Sequence, residues 1–353
     1  MKISIIRGAF ANPFEMQSYE ELAKAKNIDL QLITSNHPLN SSINLPQIKL
    51  LSPTDLPNFP FKYPILNRLF TDAHYLFGLE KAITGSDIVH VAETYYHYTH
   101  QAIQAKKKGL IKKIVSTVWE VIPFNNEGIR GRKQFKRDAY QYIDKFICVT
   151  QLAAKALIGE GVDKNKIEII PAGIDIQRFA PKYTNARPSE AFGEGGPKIL
   201  CVARNTPEKG IGELTAAVNQ IKINNSDVSL KIVSSLPYSK IQKIYQDADI
   251  FCLPSKNTKY WQEQFGMALV EAMSCSLPIV TTNSGAISEV CGEAVLYAKQ
   301  ADAHDLQLKL ESLINNPTLR KELGNKARQR SVKLYDKKII AAKILKLYKN
   351  LCP

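Results

Sequence analysis

Residues 261–278 read WQEQFGMALVEAMSCSLP. Gly266 stands directly before an apolar run of helical length, which stops ahead of Pro278 and a strand expected over Pro278–Thr282. A helix opening at this point presents first-turn amides with no carbonyl partner, so Phe265, Gly266 and Met267 form a ready anion site. Helical side chains lean toward the helix start, which aims Glu271 back at whatever binds there. Glu263, just ahead of the helix, reaches for the same ligand. Carboxylates repel a phosphate but accept well from hydroxyls, so a ligand carrying both phosphates and a polyol satisfies the whole stretch.

Outward from this stretch, short apolar runs alternate with longer amphipathic ones, the rhythm of parallel sheets wrapped by helices. Strands are expected at Lys2–Ile6, Asp29–Thr34, Ile88–Ala92, Lys113–Thr117, Lys145–Thr150 and Lys166–Pro171. A second series follows at Lys198–Ala203, Ser229–Val233, Ile250–Pro254, Pro278–Thr282 and Ala294–Tyr297. Between the two lies NARPSEAFGEGGPK (185–198), rich in Gly and Pro and without periodicity. The expectation is two doubly wound domains: residues 1–180, a linker over 181–197, and residues 198–331. The first strand of the second series runs into a turn carrying Arg204 and Lys209. Ligands of doubly wound sheets bind beyond the carboxyl ends of strands, where these cations can neutralise a diphosphate. Two segments depart from the rhythm. Leu56–Leu79 is dense in aromatics and prolines, either a substrate-facing insertion or a satellite hydrophobic cluster. Residues 332–351 place Tyr335, Ile339, Ile340, Ile344, Leu347, Tyr348 and Leu351 at three- and four-residue steps, an amphipathic helix.

The chain has 353 residues and a net charge of +14, and the charge is concentrated. Residues 104–137 hold ten Lys/Arg against Glu120 and Glu127, and residues 320–353 hold eleven against Glu322 and Asp336. The rest is slightly acidic, so two basic stretches point to an anionic partner. Attachment to an anionic membrane surface through Lys106, Lys107, Lys108, Lys112 and Lys113, aided by the terminal helix, is one expectation. Mere solubility is the other. The six cysteines form no CxxC pair, and Cys148, Cys201 and Cys252 fall within apolar strands, as in a reducing cytoplasm. No uncharged run meets the roughly 20-residue apolar requirement of a membrane helix. No nucleic-acid-binding motif is present, so nucleic acid is not an expected partner. Asp247 and Asp249 form a DxD-like string, but they lead into a buried strand and are expected to be structural.

With these residues in place, the chain resembles the group-1 (family 4) retaining glycosyltransferases of GT-B fold. Glu263 and Glu271 with Phe265-Gly266 resemble that family's E-x7-E signature. IIPAGID (169–175) through Arg178-Phe179 is similar to its interdomain segment. Val202-Ala203-Arg204 with Glu208-Lys209-Gly210 resembles its strand-end turn. Tyr245 through Asp249 and Leu253-Pro254-Ser255, then Ser284-Gly285 through Glu289, follow in the family's order.

The resemblance implies two Rossmann-like domains facing across a cleft, with the C-terminal helix (332–353) crossing back to the first. It implies a nucleotide-sugar donor held mainly by the second domain, with no cofactor and no metal. Glu271 would hold ribose hydroxyls, Glu263 the transferred sugar, and Arg204 and Lys209 the diphosphate with the amides near Gly266 and Met267. The turn at Gly8 would face the donor or acceptor from the first domain. The acceptor would be a glycan or a lipid-linked glycan, met by a cytoplasmic enzyme peripheral to the membrane. Three departures stand out. The family's usual His after the Ser116-Thr117-Val118 strand is missing, and Trp119-Glu120 follows instead, making Glu120 a candidate in its place. Ala286 replaces a Gly. About one βα unit is absent between Val233 and Tyr238. A GT-B epimerase or phosphorylase, and a non-catalytic binder of anionic polymers, are the rival readings.

Overall fold

A computed structural model describes residues 1–40, 42–182 and 196–353. Of the linker expected over 181–197, residues 183–195 lie outside the described residues. The chain divides into two compact units, Met1–Gly173 with Lys338–Pro353, and Ile174–Lys337. Residues 174–180, assigned to the first domain from sequence, therefore belong to the second unit.

The first unit runs β1 (Lys2–Gly8), α1 (Pro13–Leu22), β2 (Asp29–Ser35), β3 (Gln47–Leu50), α2 (Lys62–Phe70), α3 (Leu79–Ile83) and β4 (Ile88–Ala92). It continues through α4 (His97–Lys107), β5 (Lys113–Val118), α5 (Arg132–Tyr142), β6 (Lys145–Cys148), α6 (Gln151–Gly159) and β7 (Ile167–Ile169). The strands form one parallel sheet in the order β3-β2-β1-β4-β5-β6-β7. The second unit carries β8 (Lys198–Val202), α7 (Ile211–Asn224), β9 (Ser229–Val233), α8 (Tyr238–Gln246), β10 (Ile250–Leu253) and α9 (Met267–Ser274). After these come β11 (Ile279–Thr282), α10 (Ile287–Cys291), β12 (Leu296–Ala298), α11 (Ala303–Asn315) and α12 (Pro317–Tyr335). Its sheet is also parallel, in the order β12-β11-β10-β8-β9. The final helix, α13 (Lys337–Leu351), returns to the first unit.

The strands are apolar on both faces because helices cover both. In the first sheet Ile3, Ile5, Leu32, Ile88 and Val115 face Met16 and Leu22 of α1 and Ile340, Ile344 and Leu347 of α13. Alternate residues Ile6, Ile33, Val89, Val91 and Ile114 face Leu79, Ile83, Tyr98, Ala102 and Ile103 on the other side. Each unit thus has the layered form of a Rossmann-like domain. In the second sheet Asp249 pins the register, its carboxylate accepting the Lys198 amide at 3.0 Å. The five cysteines from Cys148 to Cys291 are buried and all six are unpaired.

Three sequence expectations shift. The amphipathic helix expected from 332 breaks at Asp336, whose extended backbone (φ −61°, ψ 124°) pairs with Ile174. Ile174 donates to the Tyr335 carbonyl at 2.8 Å and accepts from Lys337 at 2.9 Å, so an isolated bridge to a residue distant in sequence overrides helical periodicity. Tyr335 therefore ends α12 rather than joining α13. Strand β3 was not anticipated, since QIKL is short, polar at alternate positions and only half-buried. The strands expected at 145–150 and 166–171 end early, at Cys148 and Ile169.

A polar knot fastens α13 to the sheet. His90 in β4 meets the Tyr348 hydroxyl through Nδ1 and Thr117 Oγ1 through Nε2 at 2.7 Å, and both His90 and Tyr348 are fully buried. Burial, aided by Arg7, holds the imidazole pKa well below its ordinary 6.5. The unfolded chain takes up that proton below about pH 6.5 and the folded chain does not, so acid weakens the fold through this group. Tyr348→Phe leaves a buried ring nitrogen unpaired, which costs about 1–3 kcal/mol. Urea unfolding should show that loss at pH 7.5 with no change in slope.

Candidate functional site

In the second unit, the strand ends are drawn together by glycines that only close backbone approach explains. Gly210 (φ 68°) lies where an added Cβ would sit 2.1 Å from the Pro254 carbonyl oxygen. At Gly285 (φ 51°) the same atom would sit 2.2 Å from the carbonyl oxygen of Glu263. The turns after β8, β10 and β11 therefore meet with backbone in contact, and no side chain fits between them. Asn257 adds to the clasp, its Oδ1 accepting from Ser284 Oγ at 2.7 Å and from the Gly285 amide at 3.1 Å.

Into this clasp the turn after β8 brings Lys209. Its ammonium lies 2.7 Å from Glu263 Oε2 and 4.5 Å from the centre of the Trp261 ring. Ser255 Oγ donates to the same oxygen at 3.1 Å, so both bonds fall on Oε2 and Oε1 faces no donor among the described residues. Glu263 is buried and Lys209 nearly so. Arg204, by contrast, is exposed, its guanidinium 3.7 Å from Glu208. The turn thus holds one cation close on a buried carboxylate and a second in water, loosely paired with Glu208.

Helix α9 begins at Gly266 (φ 82°), which serves as its N-cap without a side-chain bond. Leu269 and Val270 already bond to the Gly266 carbonyl, so the amides of Met267 and Ala268 stand at the open helix end. Phe265 is buried edge-on against Tyr335, with ring centres 5.6 Å apart, which anchors the helix start. Glu271, one turn in, is buried and doubly held. Oε1 accepts from Tyr238 at 2.9 Å and Oε2 from Tyr245 at 2.7 Å. Burial pushes its carboxyl up to about 7 against the pull of the two tyrosines and Arg178.

The remaining two predicted residues belong to the first unit. Gly8 (φ 53°) closes β1 against the face of Tyr98. Glu120 is committed to its own loop. Its Oε1 accepts the amides of Val121 and Ile122, at 3.0 and 2.9 Å, and Oε2 accepts Asn125 and Asn126, at 3.0 and 2.7 Å. Each oxygen of this candidate carboxylate thus already holds residues 120–126 in place. Among the described residues of the first unit, Glu93, after β4, has a buried carboxylate oxygen that is open. Its Oε1 accepts the amides of Trp119 and Glu120, while Oε2 is buried without a partner. Burial raises its carboxyl to about 8, and its backbone is left-handed (φ 58°), rare for a residue with a side chain.

Sequence reasoning missed Tyr238 as a partner of Glu271. Seven residues from Tyr245 on α8, it lies on the same helix face, and that spacing was the available signal. Ser255, Asn257 and Trp261 were missed as neighbours of Glu263 because single polar residues in turns carry no periodicity.

The sequence pattern of Glycosyl transferases group 1 matches residues 230–330, and that of Glycosyltransferase Family 4 matches residues 19–178. The chain is 28% identical over 279 residues to the N,N'-diacetylbacillosaminyl-diphospho-undecaprenol alpha-1,3-N-acetylgalactosaminyltransferase of Campylobacter jejuni. That match covers 67% of this chain and 73% of the enzyme. The MMP alpha-(1->4)-mannosyltransferase of Mycolicibacterium hassiacum is 25% identical over 250 residues, 62% of this chain and 57% of its own, so this chain spans little more than half of it. Among solved structures, HepE of Anabaena in complex with UDP-glucose aligns with a TM-score of 0.76 at 14% identity, over 99% of this chain and 100% of that one. Sucrose-phosphate synthase from Thermosynechococcus elongatus aligns at 0.75 with 20% identity, over 99% of each.

The titration of Glu271 is open to measurement. A carboxyl raised in the folded state is most favourable below its unfolded value near 4.5, and that contribution is lost as pH rises through about 7. Glu271→Gln carries no such proton. Its stability relative to wild type should therefore grow between pH 5 and pH 8, as read by chemical denaturation at the two pH values.

Proposed function

We propose that this chain, which belongs to the group-1 (family 4) glycosyltransferases of GT-B fold, moves a sugar from a nucleotide-diphosphate donor to a lipid-linked glycan with retention of configuration. One observation carries the reading: cations, open helix amides and two buried carboxylates all stand at the strand ends of one parallel sheet. In this reading Arg204 swings onto the diphosphate, and Lys209 shares its charge between Glu263 and the same group. The start of α9 supplies amides and a positive helix end. Together they stabilise the charge that develops on the leaving diphosphate. Each oxygen of a carboxylate has room for two bonds, so Glu271 accepts ribose hydroxyls while keeping both tyrosines. Glu263 offers Oε1 to hydroxyls of the transferred sugar. The Campylobacter relative, whose name specifies an undecaprenol diphosphate-linked acceptor, supports the choice of a lipid-linked glycan here. Such an acceptor places the enzyme at the cytoplasmic leaflet. No described helix is long and apolar enough to cross a membrane, which fits attachment from one side.

The test separates the roles. Glu271→Ala should weaken binding of a nucleoside diphosphate by about 1.5–3 kcal/mol, the worth of hydrogen bonds to a charged group. Glu263→Ala should reduce turnover far more than it reduces that binding. Arg204→Ala and Lys209→Ala should each lose more affinity for the diphosphate than for the nucleoside. Calorimetry across a panel of UDP-, GDP-, ADP- and dTDP-sugars, followed by donor-hydrolysis rates without nucleic acid, reads all three. Equal losses for nucleoside and diphosphate, or wild-type turnover in Glu263→Ala, would overturn the assignment.

A further inference from the structure

Helix α2 buries little of its apolar surface. It turns Lys62 and Leu66 inward, with the buried Lys62 ammonium donating to the backbone carbonyls of Thr54 and Leu56. Next to this buried strip Phe61, Ile65 and Leu69, at steps of four, stay exposed by 77%, 45% and 72%, and Tyr63 is half exposed. An ordinary surface helix turns such a stripe to the core. Left in water it forms an apolar ridge, the kind of surface that marks a binding site.

The charges around the ridge are of one sign. Residues 56–71 contain no Asp or Glu, and Arg68 is exposed on the outward side next to Leu69. The end of α2 abuts the start of α5. A Cβ at Gly131 would strike Thr71 Cγ2 at 2.3 Å, and Arg132 pairs with Asp72 at 2.6 Å. That junction carries exposed Arg130, Lys133 and Arg137, and residues 128–137 also lack an acid. Asp72 is engaged by Arg132 and His74 and Asp138 by His100, while Glu127 is held by the buried Lys136 at 3.6 Å and reached by Lys133 only at 4.0 Å, which leaves Lys133 largely in water.

The lysines singled out from sequence are different. Lys106 and Lys113 pair with Asp144, Lys108 with Glu80 and Lys112 with Asp87, while Lys107 lies over the Tyr142 ring. The apolar face of α13 is likewise spent, with Ile340, Ile344 and Leu347 buried in the first unit.

We infer that the outward face of α2, with Arg68, Arg130, Lys133 and Arg137, docks the protein on an anionic lipid bilayer. Phe61, Ile65 and Leu69 enter the boundary between headgroups and acyl chains, and the four cations meet lipid phosphates. Only an interface that is apolar and negatively charged in layers answers both halves of this surface. The inference deepens the membrane part of the proposed function by naming its surface, so binding is measured without donor or acceptor. Failure here then leaves the transfer reading untouched.

Purified protein is sedimented with phosphatidylcholine vesicles, with and without phosphatidylglycerol. Wild type should bind the anionic vesicles and largely ignore the neutral ones. Phe61→Ser, Ile65→Ser and Leu69→Ser combined should lower the bound fraction about tenfold with the melting temperature kept, since all three are exposed. Arg68→Gln, Arg130→Gln, Lys133→Gln and Arg137→Gln combined should erase the preference for anionic lipid. Lys108→Gln with Lys112→Gln should bind as wild type. Equal binding to both vesicle types, or wild-type binding by either multiple variant, overturns the inference. So does a dimer in light scattering that the serine variant abolishes while wild type ignores vesicles, because the ridge then belongs to a second copy.

Discussion

The carbonyl of Glu263 is the point on which the second unit's site turns. It accepts the Ala286 amide at 2.8 Å, and Gly285 crosses so close to it that a methyl group would collide. The same residue's side chain receives Lys209 from a different strand end. Backbone and side chain of one acid thereby fix the relative positions of three turns. Backbone contact at this distance leaves little freedom to relax, so the geometry is set by the fold before any ligand arrives. A preset arrangement of charges is what electrostatic stabilisation requires, since charges that must reorganise give back part of their benefit.

The acids of the molecule sort by what surrounds them. Glu263 has a cation at hydrogen-bond distance. Glu271 has only neutral phenols as donors and is raised to about 7. Glu93, with two amides on one oxygen, is raised to about 8 by burial, with Glu120 adding to the shift and Lys136 opposing it. For both raised acids desolvation outweighs the nearby positive charge, Arg178 for Glu271 and Lys136 for Glu93. Burial thus biases Glu93 in the first unit and Glu271 in the second toward the protonated form.

Much of this was legible in the sequence because the signals were local. Gly266 before an apolar run, and Arg204 and Lys209 after a strand, each declare their place, a helix start and a strand-end turn, within a few residues. The E-x7-E spacing survives because both acids belong to one helix and its approach. What was not legible depended on distant partners. Nothing in the run around Asp336 signals a break, since it has no Gly or Pro; the break comes from Ile174, far away in sequence. Glu120 looked available because sequence does not show that Asn125 and Asn126 fold back onto it. The aromatic-rich stretch 56–79 fitted either a cluster or an exposed feature. Only the structure shows that α2 buries Lys62 and Leu66 and leaves Phe61, Ile65 and Leu69 in water.

The return of α13 sets an order on how the chain can be made. His90 and Tyr348 meet across 258 residues, and all of the second unit is synthesised between them. On a ribosome the strands of the first unit are all made while they still lack Ile340, Ile344 and Leu347 against β1, β2 and β4, with the whole second unit yet to come. During that interval an apolar strip of the first sheet is open, and loop closure over so long a span is slow. A nascent chain therefore carries that open strip throughout the making of the second unit, which is when chaperones have a surface to hold.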